Sequence, residues 1–309
     1  MGRMGTIGDA GEFGLIARLT RRLPQGPDVR LGPGDDAAVV AAPDGRVVAT
    51  TDLLVEGRHF RRDWSGPYDI GRKAAAQNLA DVVAMGARPT ALLVGFAAPP
   101  DTEAEWAERL YDGLADECRA AGASVAGGDV VGAPAVMLAV TALGDLGGAA
   151  PLTRSGARPG DVVAVRGRLG HAAAGLALLT EGRDGPAELI AAHRRPEPPY
   201  TAGEEARSHG ATALLDVSDG LVQDLGHIAD GSGVRIEIDS SAVPVAEILG
   251  PDGLRHALTG GEDHAFAGTF PPDAVLPPSW TVIGRAREGA GVRVDGREPP
   301  SGAWDHFPA

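Results

Sequence analysis

Residues 69–85 place apolar side chains every three or four positions and stop at Gly86, a pattern that predicts a helix. The same period over 12–23, closed by Pro24 and Gly26, and over 103–121, closed by Gly122, predicts two more. Continuous apolar runs at 90–97 and 135–143 predict buried strands. Shorter β-type runs at 37–41 and 47–51 flank a Pro-Asp-Gly turn at 43–45. Between 144 and 159 glycine, alanine and proline accumulate and periodicity is lost. A boundary is therefore expected near residue 147, with domains 1–146 and 147–309. The second half predicts strands at 161–166, 213–216 and 234–238, and helices at 171–180, 202–209 and 219–229. The Pro-rich stretch 196–199 separates the first pair from the rest. A short helix, a Gly-Gly turn and several short strands are expected beyond Pro251. Strands and helices mix without strict alternation. The expected fold is two α/β (α+β) domains, with mixed sheets flanked by helices.

A length of 309 residues suits two domains. The formal charge of −14 disfavours nucleic acid and anionic membranes as partners, because such a surface repels phosphate backbones. A phosphorylated ligand would have to arrive with cations. Cys118 is the single cysteine, so no intramolecular disulfide or cysteine-built zinc site is possible; a reducing, cytoplasmic setting is expected. The apolar run 135–143 is about half the ~20 residues that span a bilayer, and Arg18 interrupts the apolar run near the N-terminus that a signal peptide would need. Lys73 is the only lysine, in Gly-Arg-Lys-Ala. This excludes the G-x-x-x-x-G-K-[ST] phosphate loop and the V-A-I-K strand of protein kinases.

The aspartates carry the chemistry. Asp35-Asp36 precede a predicted strand, Thr50-Thr51-Asp52 end one, and Asn78 and Asp81 share a helix face. Gly127-Gly128-Asp129 follows a short apolar run, Asp216-Val217-Ser218-Asp219-Gly220 joins a strand to a helix, and Gly260-Gly261-Glu262-Asp263 forms a turn. Each motif alone reads as turn or helix-cap chemistry. Acid motifs gathered at element ends instead call for a hard cation to neutralise them. The histidines lack metal-ligand spacing and no G-x-S-x-G elbow is present. Oxygen-only ligands predict Mg²⁺, which keeps part of its shell for substrate phosphates. The residues therefore predict a Mg²⁺-dependent enzyme acting on phosphate esters, with a nucleotide as the expected substrate.

The ordered series goes further. Gly-Glu-Phe at 11–13, Gly-Asp-Asp-Ala-Ala at 34–38, Thr-Thr-Asp at 50–52 with His59-Phe60, and Asn-Leu-Ala-Asp-Val-Val-Ala-Met-Gly-Ala at 78–87 come first. Gly-Gly-Asp at 127–129, Leu-Thr-Arg-Ser-Gly-Ala-Arg-Pro-Gly-Asp at 152–161, Asp-Val-Ser-Asp-Gly-Leu at 216–221, Gly-Gly-Glu-Asp at 260–263 and Trp-Asp-His-Phe at 304–307 follow. In this order they resemble the thiamine-monophosphate kinase family of the PurM-like ATP-dependent superfamily, over nearly the whole chain. The resemblance implies that superfamily's two-domain fold, without a P-loop. It implies several Mg²⁺ ions held by Asp36, Thr50, Thr51, Asp52, Asp81, Asp129, Asp216 and Asp219. It implies ATP contacts at Tyr111, Gly128, Asp129, Arg154 and Ser218, and thiamine-phosphate contacts at His59, Glu262 and Trp304. Three departures stand out: Thr50 where serine is frequent, Trp304 where tyrosine or phenylalanine would also stack, and His264-Ala265 where the family tends to have Tyr-Glu.

The expected reaction is transfer of the ATP γ-phosphoryl group to thiamine monophosphate. An already ionised phosphate acceptor needs no general base, so no catalytic residue of that kind is assigned. Asp52 and Asp129 are expected on the ATP-side metal, with Asp36, Asp81 and Asp216 nearer the acceptor. A homodimer is implied by the superfamily. Two alternatives stay open: another ATP-dependent synthase of the superfamily, which the placement of Cys118 in a predicted helix disfavours, and a non-catalytic Mg-nucleotide-binding regulatory protein.

Overall fold

The computed structural model describes residues 6–33 and 38–300, without the side chains of residues 12 and 13. The expected positions Asp36 and Trp304 lie outside the described residues. The chain divides into two compact units, Met1–Val82 with Arg88–Ala149, and Val83–Ala87 with Ala150–Ala309.

In unit 1, α1 (Ile7–Thr20) starts from a capping box in which Thr6 and Asp9 bond each other's backbone, and kinks at Gly11. A small antiparallel pair, β1 (Val29–Leu31) and β2 (Val39–Val40), precedes β3 (Val48–Val55) and α2 (Pro67–Ala84). Then follow β4 (Arg88–Ala98), α3 (Ala104–Ala121), β5 (Ser124–Gly132) and β6 (Met137–Asp145). Four strands form one sheet in the order β3-β6-β4-β5, in which only β4 and β5 run parallel. α3 supplies the connection that a parallel pair requires and packs on both strands. Leu92, Val94 and Phe96 of β4 are buried on one sheet face, and Leu110 and Leu114 of α3 are buried with them. α2 meets α3 backbone to backbone: a Cβ at Gly71 would stand 2.0 Å from Leu110 O, and one at Gly113 2.1 Å from Tyr68 O. Arg18 of α1 and Arg22, just beyond its end, pair with Glu108 of α3.

Unit 2 opens with β7 (Val162–Arg166) and α4 (His171–Thr180), then α5 (Ala187–Arg194), α6 (Ala202–Ser208) and β8 (Ala213–Val217). α7 (Leu221–Ser232), β9 (Arg235–Ile238), α8 (Gly253–Thr259), β10 (Ala265–Phe270), β11 (Thr281–Arg287) and β12 (Gly291–Val294) complete it. The six-stranded sheet runs β12-β9-β11-β7-β10-β8 and is antiparallel except between β12 and β9. Its core joins Val163, Val165, Leu215, Ile236 and Ile283 of the strands to Leu221, Leu225 and Ile228 of α7. A smaller cluster seats Leu178 of α4 on Leu189 and Ile190 of α5.

Several local expectations change. Thr50-Thr51-Asp52 lies inside β3, which runs on to Val55, rather than at a strand end, and α1 spans Ile7–Thr20 rather than 12–23. Gly127-Gly128-Asp129 lies inside β5 rather than in a turn after it. α5 answers to no predicted helix: it has eight residues between Pro186 and Pro196, too short for a readable period. α7 begins at Leu221, two residues later than its pattern suggested. Among the described residues, no helix is long and apolar enough to cross a membrane.

Candidate active site

In unit 1 the acid positions gather where β3 faces α2. Period-two alternation turns Thr50, Asp52 and Leu54 to one face of β3 and Thr51 and Leu53 to the other. Asn78 and Asp81, one turn apart on α2, both reach β3. Asn78 Oδ1 accepts the Asp52 backbone N–H at 3.1 Å, and Asp81 Oδ2 accepts the Thr50 hydroxyl at 2.8 Å. The Asn78 amide is itself held by donation to Ala74 O, 2.9 Å. Thr51 points away from this group: its hydroxyl donates to Val140 O and accepts from Thr141. In the turn after β3, His59 Nδ1 accepts the Val55 N–H at 3.0 Å, and the buried Lys73 ammonium donates to His59 O. The lone lysine is therefore a brace for that turn.

Asp129 stands elsewhere on the same sheet. It pairs across β4 with Gly95 and accepts the Val130 N–H at 2.9 Å. β3 and β5 are the two edges of the sheet, three strand spacings or roughly 14 Å apart. Within one chain, then, Asp52 and Asp129 are not neighbours. Gly128 is obligatory on steric grounds, because a Cβ there would lie 1.9 Å from Val94 O. Tyr111 is buried edge-to-face against Phe96, and its phenol is pushed well up, by burial first and then by the charge of Asp129.

Unit 2 carries a second group. Asp216 is buried in β8 and the loop 218–220 leads into α7. Neither Ser218 nor Asp219 caps that helix. Asp224, one turn inside it, reaches back to accept the N–H groups of Asp219 (3.1 Å) and Gly220 (3.0 Å). The Asp224 carboxyl is pushed up to about 7, by burial first and then by the charge of Asp216. The α8–β10 turn at 260–264 is stitched to this loop: Glu262 N–H donates to Ser218 O at 2.7 Å and His264 N–H to Val217 O at 3.0 Å. Asp263 turns the other way and accepts the backbone N–H groups of Gly170 and Ala172 at the start of α4. Burial pushes its carboxyl up to about 7 as well. Glu262 Oε2 lies 3.4 Å from His193 Nδ1 of α5, and Asp216 Oδ2 lies 3.0 Å from His264 Nδ1. The sequence patterns flagged neither His193 nor Asp224. The i+5 spacing of Asp224 from Asp219 was the available signal for the latter.

Arg154 is not brought to Ser218. Its carbonyl accepts the Ser232 hydroxyl at 3.3 Å, at the far end of the 12-residue α7, about 18 Å from the helix start.

Among the described residues, no three carboxylate, histidine or cysteine side chains gather tightly enough to hold a metal ion. The donor chemistry nevertheless fits a hard cation: hydroxyl and carboxylate oxygens in both groups, and in unit 2 a crowding of like charge that a cation would relieve.

Two family models match the chain, AIR synthase related protein, N-terminal domain, over residues 34–146, and AIR synthase related protein, C-terminal domain, over residues 158–297. A thiamine-monophosphate kinase of Mycobacterium tuberculosis is 50% identical over 312 residues, covering 98% of this chain and 93% of the relative. The chain belongs to the thiamine-monophosphate kinase family. Its two-domain architecture is the PurM-like one. Among solved members, the crystal structure from Stenotrophomonas maltophilia K279a superposes with a TM-score of 0.82 at 36% identity, over 92% of this chain and 96% of that one. AaThiL complexed with AMPPCP and TMP superposes with a TM-score of 0.80 at 35% identity, over 97% and 98%.

Proposed function

We propose that this chain transfers the γ-phosphoryl group of ATP to the phosphate of thiamine monophosphate, giving thiamine diphosphate and ADP. The observation that carries this reading is the end-to-end match to thiamine-monophosphate kinases at up to half of all positions. The acceptor oxygen belongs to a phosphate monoester whose second pKa is near ~6, so it is ionised at neutral pH and needs no base. Cys118 is buried in α3 with its thiol pushed up by burial, which leaves no thiolate for a thiol-dependent synthase reaction.

Thr50, Asp52, Asp81 and Asp129 of unit 1 and Asp216 and Asp219 of unit 2 are the residues that would hold Mg²⁺, with Thr51 and Asp36 as further members of the set. Divalent cations held there would supply neutralisation of the phosphate charge of the substrates. The chain's own part is positioning. The Thr50–Asp81 bond and the Asn78 clamp on Asp52 fix the β3 donors, and Asp224 fixes the loop that carries Ser218 and Asp219. Glu262 and Trp304 of unit 2 and His59 of unit 1 are the residues proposed to contact the thiamine moiety, and Tyr111 and Gly128 of unit 1 and Ser218 of unit 2 the nucleotide; Arg154, at the far end of α7 from Ser218, is the least supported member of the nucleotide set.

A homodimer is part of the proposal. Leu53, Leu93, Val131 and Met137 are exposed on one face of the unit 1 sheet, and such an apolar surface suits a second copy. The distance between Asp52 and Asp129 within one chain also suits a site completed by a second copy. A solution mass equal to one chain in a fully active enzyme would remove this part alone.

Coupled ADP release over a panel of acceptors tests the reaction. Turnover is expected with thiamine monophosphate and Mg²⁺ together. Equal turnover with free thiamine, a hydroxyl acceptor that needs a base, would overturn the assignment.

A further inference from the structure

We propose that His264 is a positioning residue that sets the Asp216 carboxylate for cation binding; the inference rests on the reading of Asp216 as a cation ligand. In the β8–β10 ladder Asp216 stands opposite Phe266. His264 lies immediately before β10, one residue ahead of the Ala265–Val217 pair, and its side chain reaches Asp216. Its Nδ1 lies 3.0 Å from Asp216 Oδ2, and the two side chains are only 7% and 3% exposed. An ionised carboxylate can only accept, so Nδ1 carries the hydrogen and donates it.

The backbone beneath the imidazole is over-determined. His264 N–H donates to Val217 O at 3.0 Å, the preceding residue Asp263 is anchored on the start of α4, and Glu262 N–H holds Ser218 O. His264 itself sits at a φ of +50°, a left-handed conformation that costs a non-glycine residue energy and persists where surrounding contacts impose it. If this position served only to fill space, an aliphatic side chain would do so without burying ring nitrogens. The donated hydrogen bond instead occupies one carboxylate oxygen and fixes its rotation, leaving the second oxygen as the donor offered to a cation. Hydrogen-bonded support of this kind is worth about 10–100-fold in metal affinity.

The test is Mn²⁺ binding to the full-length protein without substrates, followed by electron paramagnetic resonance and referred to the class of site lost in Asp216→Asn. His264→Leu keeps volume but removes the donor. His264→Gly removes the donor and relieves the backbone strain, so that one of the pair folds if strain is the difficulty. His264→Asn restores an N–H near the Nδ1 position and tolerates the left-handed φ. The expected result is a 10–100-fold weaker Asp216-dependent site in the Leu and Gly variants and near-wild-type affinity in the Asn variant. Wild-type Mn²⁺ affinity in the Leu and Gly variants would overturn the proposal, as would losses in all three that simply follow their urea midpoints. Should Asp216→Asn itself leave Mn²⁺ binding intact, Asp216 is no ligand, and both the reading and the inference built on it fall.

Discussion

Thr50 Oγ1 donates to Asp81 Oδ2 across 2.8 Å, tying the first residue of the Thr-Thr-Asp triplet on β3 to a carboxylate on α2 31 positions along the chain. The bond from the hydroxyl holds the rotation of the Asp81 carboxylate. Asp81→Asn keeps the volume and removes the charge, and is expected to lower kcat by roughly 10²–10³-fold, comparable to losing one preorganised electrostatic contact. Thr50→Ser, which retains the oxygen, should stay far closer to wild type than Thr50→Val. Coupled ADP-release kinetics measure all three; full activity in Asp81→Asn would remove Asp81 from the cation set.

Gly128 offers a stability test on β5, the opposite edge of the same sheet. A methyl group there meets Val94 O at 1.9 Å, a clash with backbone that no rotamer change relieves. Gly128→Ala should destabilise the fold by at least the ~1–3 kcal/mol of an overpacked core, whereas Gly132→Ala, with nothing within 4 Å, should change the urea midpoint little. Equal midpoints for the two variants would contradict the close β4–β5 approach.

Where side chains repeat with a clear period, the sequence carried the structure plainly: α3 is predicted to its last residue, closed by Gly122 in a left-handed conformation. The Asn78–Asp81 pairing was legible for the same reason, since a three-residue step on a helix puts both on one face. β5 was not legible, because Gly127-Gly128 reads as a turn until the clash at Val94 shows that Gly128 serves strand proximity. Nor was the separation of Asp52 from Asp129, because strand order within a sheet is a long-range property that local pattern does not encode. His264 next to Asp216 depends on ladder register across 48 positions, and no spacing rule reaches that far.

Asp263 should leave a pH signature on stability. Burial raises its folded carboxyl from the ordinary value of 3.8 to about 7, so the folded state binds more protons than the unfolded state between those values. The favourable contribution of the protonated group is complete below pH 3.8 and is lost as pH rises through about 7. Relative to Asp263→Asn, which does not titrate, wild-type stability should therefore fall between pH 5 and pH 8. Urea unfolding of both proteins at the two pH values checks this. A gap that widens in favour of wild type as pH rises would show that the two α4 N–H donors outweigh burial.

Cys118 is assigned no chemistry. It is buried in α3, and burial keeps its thiol protonated. Cys118→Ala should retain specific activity within a few-fold. A folded Ala variant several hundred-fold slower would restore the thiol-dependent synthase reading.

The final test separates acceptor binding from chemistry. Glu262 is held at a φ of +66°, with its N–H on Ser218 O and its Oε2 at 3.4 Å from His193 Nδ1, so its carboxylate is presented from a fixed backbone. A carboxylate in that place suits the permanent positive charge of a thiazolium ring. Glu262→Gln preserves shape and one acceptor oxygen while deleting the charge. A hydrogen bond or contact involving a charged group is worth about 1.5–3 kcal/mol, which converts to a rise of roughly 10–100-fold in the KM for thiamine monophosphate. Because that contact is made equally in the ground state and the transition state, kcat should change little, and the KM for ATP should stay at its wild-type value. The split is the discriminating readout. A defect confined to the ATP KM would move Glu262 to the nucleotide side, and an unchanged KM for thiamine monophosphate would leave the residue with a structural task in the turn that carries His264.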